Sequence, residues 1–314
     1  KAGDNKMALS LAERAFSLRP NTPWVLTTLL ELQTRAADWP GALSTLRIAQ
    51  KQKVIGADIC DIREAGILLE QARLAKSSGD SNLTSKLAES AYKINKDFVA
   101  AIIFLASHYV SIGQHTKAEK IILQAWNKSP HPSLAKYFNE ACVSKDGTSR
   151  AKQLEKLAER NRDHPESLLI LASVALEAML WGSARSHLEA ALKVRPTAEI
   201  YRRLAYLEEV GYDDSKAARK WLLAASEAEA DPTWICKECG MPAQDWTIIC
   251  SFCGFIDSVE WGQTRKNRNL LKGPTNLFAG DKENSVSGQL ARSDNGDVVI
   301  PNNAHVKNRD DIPL

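Results

Sequence analysis

The sequence predicts an all-α protein in which an α-solenoid of stacked helical pairs is followed by a small four-cysteine zinc ribbon and a disordered tail. Residues 1–230 are rich in Ala, Leu, Glu, Lys and Arg and show no alternating strand pattern, which favours helices throughout. A short alanine motif recurs along these residues, and four of the six cysteines lie between positions 236 and 253. The predicted boundaries are 1–230 for the solenoid, 231–261 for the ribbon and 262–314 for the tail.

The repeat consists of three small or apolar positions, spaced four and three residues apart and followed five residues later by proline. It occurs in "ALSLAERAFSLRP" (8–20), "AEKIILQAWNKSP" (118–130) and "ARSHLEAALKVRP" (184–196), and weaker copies begin at Ala42 and Ala217. Positions four and seven apart share one helix face, where alanine lets a neighbouring helix approach closely. A partner helix precedes each motif, and a helical pair of about 34 residues is typical of tetratricopeptide repeats. We expect roughly six units, with residues 1–20 forming only a second helix.

A solenoid of this kind offers a protein partner an extended face, lined by the first helix of each pair. The candidate partner-binding residues on that face are Trp24, Glu31, Ser107, Ser173, Arg202 and Tyr206. They lack the repeated Lys/Asn/Arg set with which some tetratricopeptide domains clamp a terminal carboxylate, so a chaperone-tail receptor is disfavoured. The alternative for each residue is an ordinary solvated or packing role.

The cysteine pattern is Cys236-x2-Cys239, ten residues, then Cys250-x2-Cys253, with a glycine after each pair. Each C-x2-C pair supplies two thiolates from one tight turn, and four thiolates suit tetrahedral zinc. The segment is too small to build its own hydrophobic core, so we expect a structural zinc ion to stabilise it. Iron takes the same ligand set and stays an alternative. We also expect the ribbon to cap the apolar end of the last repeat.

Other uses of these cysteines fit less well. Disulfides need an oxidising compartment, redox C-x-x-C chemistry needs a thioredoxin-like fold, and c-type haem needs histidine where glycine stands. The isolated Cys60 and Cys142 are predicted to be buried as small hydrophobic residues. The six histidines are scattered and are predicted to lie at the surface or in turns. With no HExxH motif and no glycine-rich phosphate loop, the sequence predicts no enzyme.

Charge and hydropathy limit the partners further. The net charge of +3 over 314 residues gives no strong field for nucleic acid. No apolar run reaches the eighteen residues that a membrane helix needs. The chain begins at Lys1 without an initiator methionine, so we expect it to be a fragment and any membrane anchor to lie upstream.

The chain resembles the HemY family of bacterial haem-biosynthesis-associated membrane proteins, in the form typical of alphaproteobacteria. The resemblance rests on residues 19–43, 127–138 and 163–192, and above all on "DPTWICKECGMPAQDWTIICSFCGFIDSVEW" at 231–261. It implies an N-terminal transmembrane hairpin, absent here, that ties cytoplasmic repeats to the inner membrane. It also implies a role in organising or regulating late tetrapyrrole enzymes. The oxidase that shares the family name is excluded, because the chain has no dinucleotide-binding glycine motif.

Three functions therefore compete. The first is a membrane-tethered, non-catalytic scaffold that binds haem-pathway enzymes. The second is an adaptor in envelope assembly or quality control, where similar repeat arrays with cysteine-rich ends also occur. The third is a carrier of haem or porphyrin, for which the sequence offers only loose residues such as His108 and Tyr109.

Overall fold

The computed structural model describes residues 2–142 and 147–263, with side chains from Asn5 onward. Within these ranges the chain forms thirteen α-helices and one three-stranded sheet, all inside one compact unit. The helices are α1 (Ala2–Leu18), α2 (Pro23–Arg35), α3 (Trp39–Lys51), α4 (Ala57–Ser77), α5 (Ser81–Ile94), α6 (Val99–Ser111), α7 (His115–Trp126), α8 (Pro132–Ala141), α9 (Gly147–Ala158), α10 (Pro165–Glu177), α11 (Trp181–Val194), α12 (Ala198–Tyr212) and α13 (Ser215–Glu227). The predicted repeat array is confirmed. The residues after Gln263 lie outside the described part of the chain, so the disorder of the tail stays a prediction.

After α1, successive helices pack as six pairs, from α2/α3 to α12/α13. The predicted alanine motif lies on the buried face of the second helix in three of them. Its members there are Ala42, Leu46 and Ala49 in α3, Ala118, Ile122 and Ala125 in α7, and Ala184, Leu188 and Ala191 in α11. A further buried copy in α5 begins with Thr84 and continues with Ala88 and Ala91. The motif defined from the sequence begins with alanine, so it did not include this copy.

Four of the pairs share one inter-helix turn. In each, a residue in the left-handed region follows the first helix: Ala37, Gly79, Gly113 or Met179, with φ between 56° and 81°. In the first of these turns, the amides of Ala37 and Asp38 donate to the carbonyls of Thr34 and Gln33, and the other three repeat the arrangement. This Schellman motif satisfies carbonyls that the helix end would leave unpaired. Two of the four turns lack glycine, so this shared turn was not visible as a sequence pattern.

The core between the central pairs contains the largest fully buried side chains. Trp126 at the end of α7 and Phe138 in α8 are both inaccessible to solvent. The Trp126 indole Nε1 donates to the Ser167 hydroxyl of α10 at 2.9 Å. Because a buried indole N–H needs an acceptor, this bond ties the third helical pair to the fifth, across the shorter α8/α9 pair between them.

The cysteine-rich segment forms a small antiparallel sheet in the order β2-β1-β3. Its strands are β1 (Thr233–Cys236), β2 (Pro242–Ala243) and β3 (Val259–Gly262). We refer to residues 233–262 as the ribbon.

The ribbon does not cover the last repeat, and that prediction was wrong. Leu222 and Leu223 of α13 remain 50% and 65% exposed. After α13 the chain turns back beside the start of α12, where the carbonyl of Glu229 accepts from Ala198 and the Asp231 carboxylate binds Arg202. The ribbon then packs against α4 and the starts of α6 and α8, which are first helices of their pairs.

Candidate metal centre

Two tight turns present the four cysteines. In the first, the Gly240 amide donates to the Cys236 carbonyl and the Cys236 amide donates to the Met241 carbonyl. The turn at Cys250 has the same two bonds, through Gly254 and Phe255. Both glycines have φ near 70–75°, a conformation that a side chain disfavours. The backbone of the turn therefore favours the glycine that follows each cysteine pair.

The four sulfur atoms lie in one cluster. All of them fall within 4.8 Å of one another; Cys236 lies 3.6 Å from Cys253, and Cys239 lies 3.8 Å from Cys250. A tetrahedral zinc ion with Zn–S bonds of about 2.3 Å would separate its sulfurs by about 3.8 Å. The site thus fits a tetrathiolate metal ion, and the four predicted ligands are brought together.

The acidities of the thiols suit a cation as well. Burial raises the pKa of Cys236, but the Ser258 hydroxyl at 3.2 Å and nearby backbone amides outweigh it and lower that pKa to about 6. Burial, reinforced by neighbouring sulfurs, raises the pKa of Cys239 to about 12 and also raises that of Cys253. One sulfur therefore ionises readily, whereas further negative charge needs a bound cation to offset it.

Polar contacts fix the ribbon to helix α4. The Arg63 guanidinium donates to the Asp257 carboxylate at 2.5 Å, and both side chains are largely buried. Arg73 donates to the carbonyl of Trp246 at 2.6 Å, while the Ile248 amide donates to Glu70 at 3.3 Å.

The apolar part of the contact centres on a glycine in the middle of α4. A Cβ atom at Gly66 would lie 2.9 Å from the Trp246 ring and 3.4 Å from Ile248. Phe98, just before α6, meets the same ring edge-on with centroids 4.8 Å apart. Trp246 and Ile248 are 6% and 3% exposed. We call this surface, formed by Arg63, Gly66, Glu70, Arg73 and Phe98, the α4 docking site.

His131 joins the ribbon to α8. Its ring lies 5.6 Å from that of Trp234 and 4.0 Å from that of Trp261, and it is 2% exposed. Its Nδ1 accepts from the Ser133 amide and caps α8. Burial lowers the pKa of His131 to about 4. His131 lies in the turn before α8, as the prediction of a surface or turn position allows, whereas His108 lies buried within α6 and contradicts that prediction.

The docking residues were not found from the sequence. In the sequence nothing distinguishes Arg63, Glu70 and Arg73 from other charged residues on a helix surface. The available signal was Gly66, since glycine within a helix costs about 1 kcal/mol relative to alanine and so indicates a close approach. The isolated Cys60 and Cys142 are buried as predicted, at 1% and 0% exposure.

The six candidate partner-binding residues are spread over four first helices. Trp24 and Tyr206 are 65% and 54% exposed, and Glu31 is also exposed. The Ser107 hydroxyl donates within its own helix, Ser173 accepts from Arg203 of α12, and Arg202 pairs with Asp231. Their role in partner binding stays a prediction.

The two residues suggested for haem have protein partners. Nε2 of the buried His108 is 2.8 Å from the Ser85 hydroxyl, and the Tyr109 hydroxyl donates to Glu89 at 2.7 Å. Neither side chain is presented as a free axial ligand.

No protein-family profile matches the chain. It is similar to a curated protein named "Probable magnetosome protein Mms48" from Magnetospirillum gryphiswaldense, with 29% identity over 217 residues. That match covers 68% of this chain but 47% of the relative, so the chain spans about half of that protein's length.

Solved tetratricopeptide structures are similar at low identity. A crystal structure of MamA matches at 16% identity and a TM-score of 0.34, over 50% of this chain and 92% of that one. A repeat protein from Thermus thermophilus matches at 20% and 0.35, over 52% and 91%. One from Cytophaga hutchinsonii matches at 14% and 0.42, over 72% and 92%. With TM-scores this low, the architecture is established by the helix pairing of this chain.

No helix in residues 2–142 or 147–263 combines the length and the apolar character needed to cross a bilayer. The membrane tether stays a prediction.

Proposed function

We propose that this protein is a non-catalytic scaffold that binds other proteins, with a structural zinc ion holding its ribbon. The observation that carries the proposal is the tetrathiolate cluster docked on an array of stacked helical pairs. Four sulfurs fill all four positions of tetrahedral zinc, so no position stays open for a reacting water. Repeat arrays, in turn, offer extended surfaces that suit macromolecular partners.

Two biological settings are supported by different observations. The HemY resemblance of residues 231–261 favours late tetrapyrrole enzymes as partners, on the cytoplasmic side of a bacterial inner membrane. Reduced thiolates agree with that side. The similarity to the Mms48 protein favours a magnetosome-associated assembly as the second candidate. Both settings use the same scaffold chemistry.

Crosslinking of the full-length protein in its native membrane, followed by mass spectrometry, tests the proposal. Recovery of tetrapyrrole enzymes supports the first setting, and recovery of magnetosome proteins supports the second. Recovery of no protein partner in either case contradicts the scaffold function. Turnover of a small substrate by the purified chain would also contradict it.

Exposed first-helix residues provide a surface control. Trp24→Ala and Tyr206→Ala should reduce crosslinking yield without lowering the unfolding midpoint, because both side chains are more than half exposed. Met179→Ser, at an equally exposed inter-helix turn, is the matched variant that should leave the yield unchanged.

A further inference from the structure

One segment of the ribbon lies on α4 as a bound peptide would. The main-chain carbonyl of Trp246 accepts from Arg73 at 2.6 Å, and the main-chain amide of Ile248 donates to Glu70 at 3.3 Å. The two helix residues are themselves joined by an ion pair of 2.9 Å. Because the bonds go to main-chain groups, this pair of side chains can recognise a peptide whatever residue lies between the two positions.

The side chains of the same segment supply the sequence preference. The Trp246 ring occupies the space that a side chain at position 66 would fill, with Phe98 against its edge. Ile248 reaches the same glycine from two residues further on. We call the space above Gly66 that these two side chains fill the notch. The notch selects a large aromatic ring followed two residues later by an aliphatic side chain. Tryptophan is also one of the residue types enriched at the energetic centres of protein interfaces.

The ribbon depends on its four sulfurs to present these groups together. Its three strands contain only 4, 2 and 4 residues. Trp246 and Asp257, which bind different parts of α4, lie on opposite sides of the second cysteine turn. Without an ion to join the turns, the ribbon has too small a core to keep both contacts in register.

We propose that the α4 docking site is a protein-binding site for a segment with tryptophan followed two residues later by an aliphatic residue, and that the metal-loaded ribbon is its internal occupant. The inference rests on the proposed scaffold function and identifies one surface and one class of partner for it. Metal loss releases the ribbon, and a partner segment of the same chemistry then binds in its place.

A labelled peptide tests this directly. The probe is a fluorescein-labelled peptide with the sequence of residues 243–249, AQDWTII, and the readout is fluorescence anisotropy. We expect saturable binding to the full chain after chelation under reducing conditions, and at least tenfold weaker binding after zinc is restored. Metal content and far-ultraviolet circular dichroism are measured on the same samples. A peptide with alanine in place of tryptophan should not bind.

A second variant keeps the test independent of chelation. A chain with Trp246→Ala, Ile248→Ala and Asp257→Ala loses the two side chains against Gly66 and the ion pair to Arg63 while all four cysteines remain, so its zinc-loaded form should release the segment from α4 and bind the tryptophan peptide. Gly66→Leu fills the notch and should abolish peptide binding both to the chelated chain and to the zinc-loaded variant. Gly182→Ala in α11 is the control and should leave peptide binding unchanged, because its new Cβ would meet nothing within 4 Å.

Equal binding to the loaded and chelated chains would overturn the proposal. So would absence of binding to a zinc-loaded chain of normal helicity that carries Trp246→Ala, Ile248→Ala and Asp257→Ala. Failure of the scaffold function is distinguishable from these results, because crosslinking does not use the peptide. If native partners are recovered equally with wild-type and Gly66→Leu proteins, the scaffold stands and this site is not where they bind.

Discussion

Replacing Gly66 by alanine tests the docking of the ribbon through the sign of a stability change. In an isolated helix the substitution would stabilise by about 0.5–1 kcal/mol, because alanine loses less backbone entropy. Here the new Cβ would lie 2.9 Å from the Trp246 ring, about 0.5 Å closer than the onset of ordinary contact at 3.4 Å. The ring cannot move away freely, since Phe98 and the Arg73 bond hold it.

The expected outcome is a net loss of stability. Overpacking of a well-filled site costs about 1–3 kcal/mol, which exceeds the gain in helix propensity. Gly66→Ala should therefore destabilise by up to about 2 kcal/mol in the zinc-loaded protein, measured by urea unfolding followed by circular dichroism. In a Trp246→Ala background the same substitution should become stabilising, because the clash is gone. The difference between the two backgrounds gives the coupling energy.

Gly182→Ala is the matched control, since its Cβ would meet nothing within 4 Å and it should be neutral or stabilising. If Gly66→Ala stabilised the wild-type protein as much as this control does, the tryptophan ring would not occupy the notch. The reasoning on the ribbon's position would then be refuted.

Three further predictions follow from buried groups and from the sulfur cluster. Ser167→Ala leaves the buried Trp126 indole without its acceptor and should lower the free energy of unfolding by about 1–3 kcal/mol. Trp126→Phe should lower the stability less in the Ser167→Ala background than in the wild-type protein. A double-mutant cycle measured by thermal melting checks this. The purified chain should contain one zinc ion, and Cys250→Ser should remove that ion. The substitution should also open residues 233–262 to protease while α10–α13 stay protected. Elemental analysis measures the metal and limited proteolysis measures the protection; metal retained by Cys250→Ser would contradict the tetrathiolate assignment. The pKa of His131 is about 4 in the folded protein, against an ordinary value of 6.5. As the pH falls from 6.5 towards 4, the unfolded chain therefore binds a proton that the folded chain does not. Stability should fall over this range, by about 3 kcal/mol near pH 4. His131→Asn keeps a cap acceptor and should remove this share of the pH dependence in urea unfolding between pH 7 and pH 4.5; an unchanged dependence would show that the ring is not buried in the folded protein.

Local patterns determined the repeat architecture and the ligand set. The motif of Ala118, Ile122 and Ala125 predicts a helix face that a neighbour covers, because helical periodicity alone brings those positions together. The spacing of Cys236 and Cys239 likewise predicts one turn with two ligands, since both residues belong to the same short stretch of backbone. These features depend on residues a few positions apart, and the geometry of helices and turns fixes how such near neighbours are arranged.

The position of the ribbon was decided only by tertiary structure. The sequence suggested the end of the array, because the ribbon follows α13 in the chain. The contacts of Asp257 with Arg63 and of Trp246 with Arg73 join residues that are 194 and 173 positions apart. No local pattern encodes such a pairing, because it depends on how the whole array folds and on the direction in which the chain leaves α13. The sequence by itself therefore determined which helices repeat and which sulfurs can hold a metal ion, whereas only the packing of the complete chain placed the ribbon over Gly66.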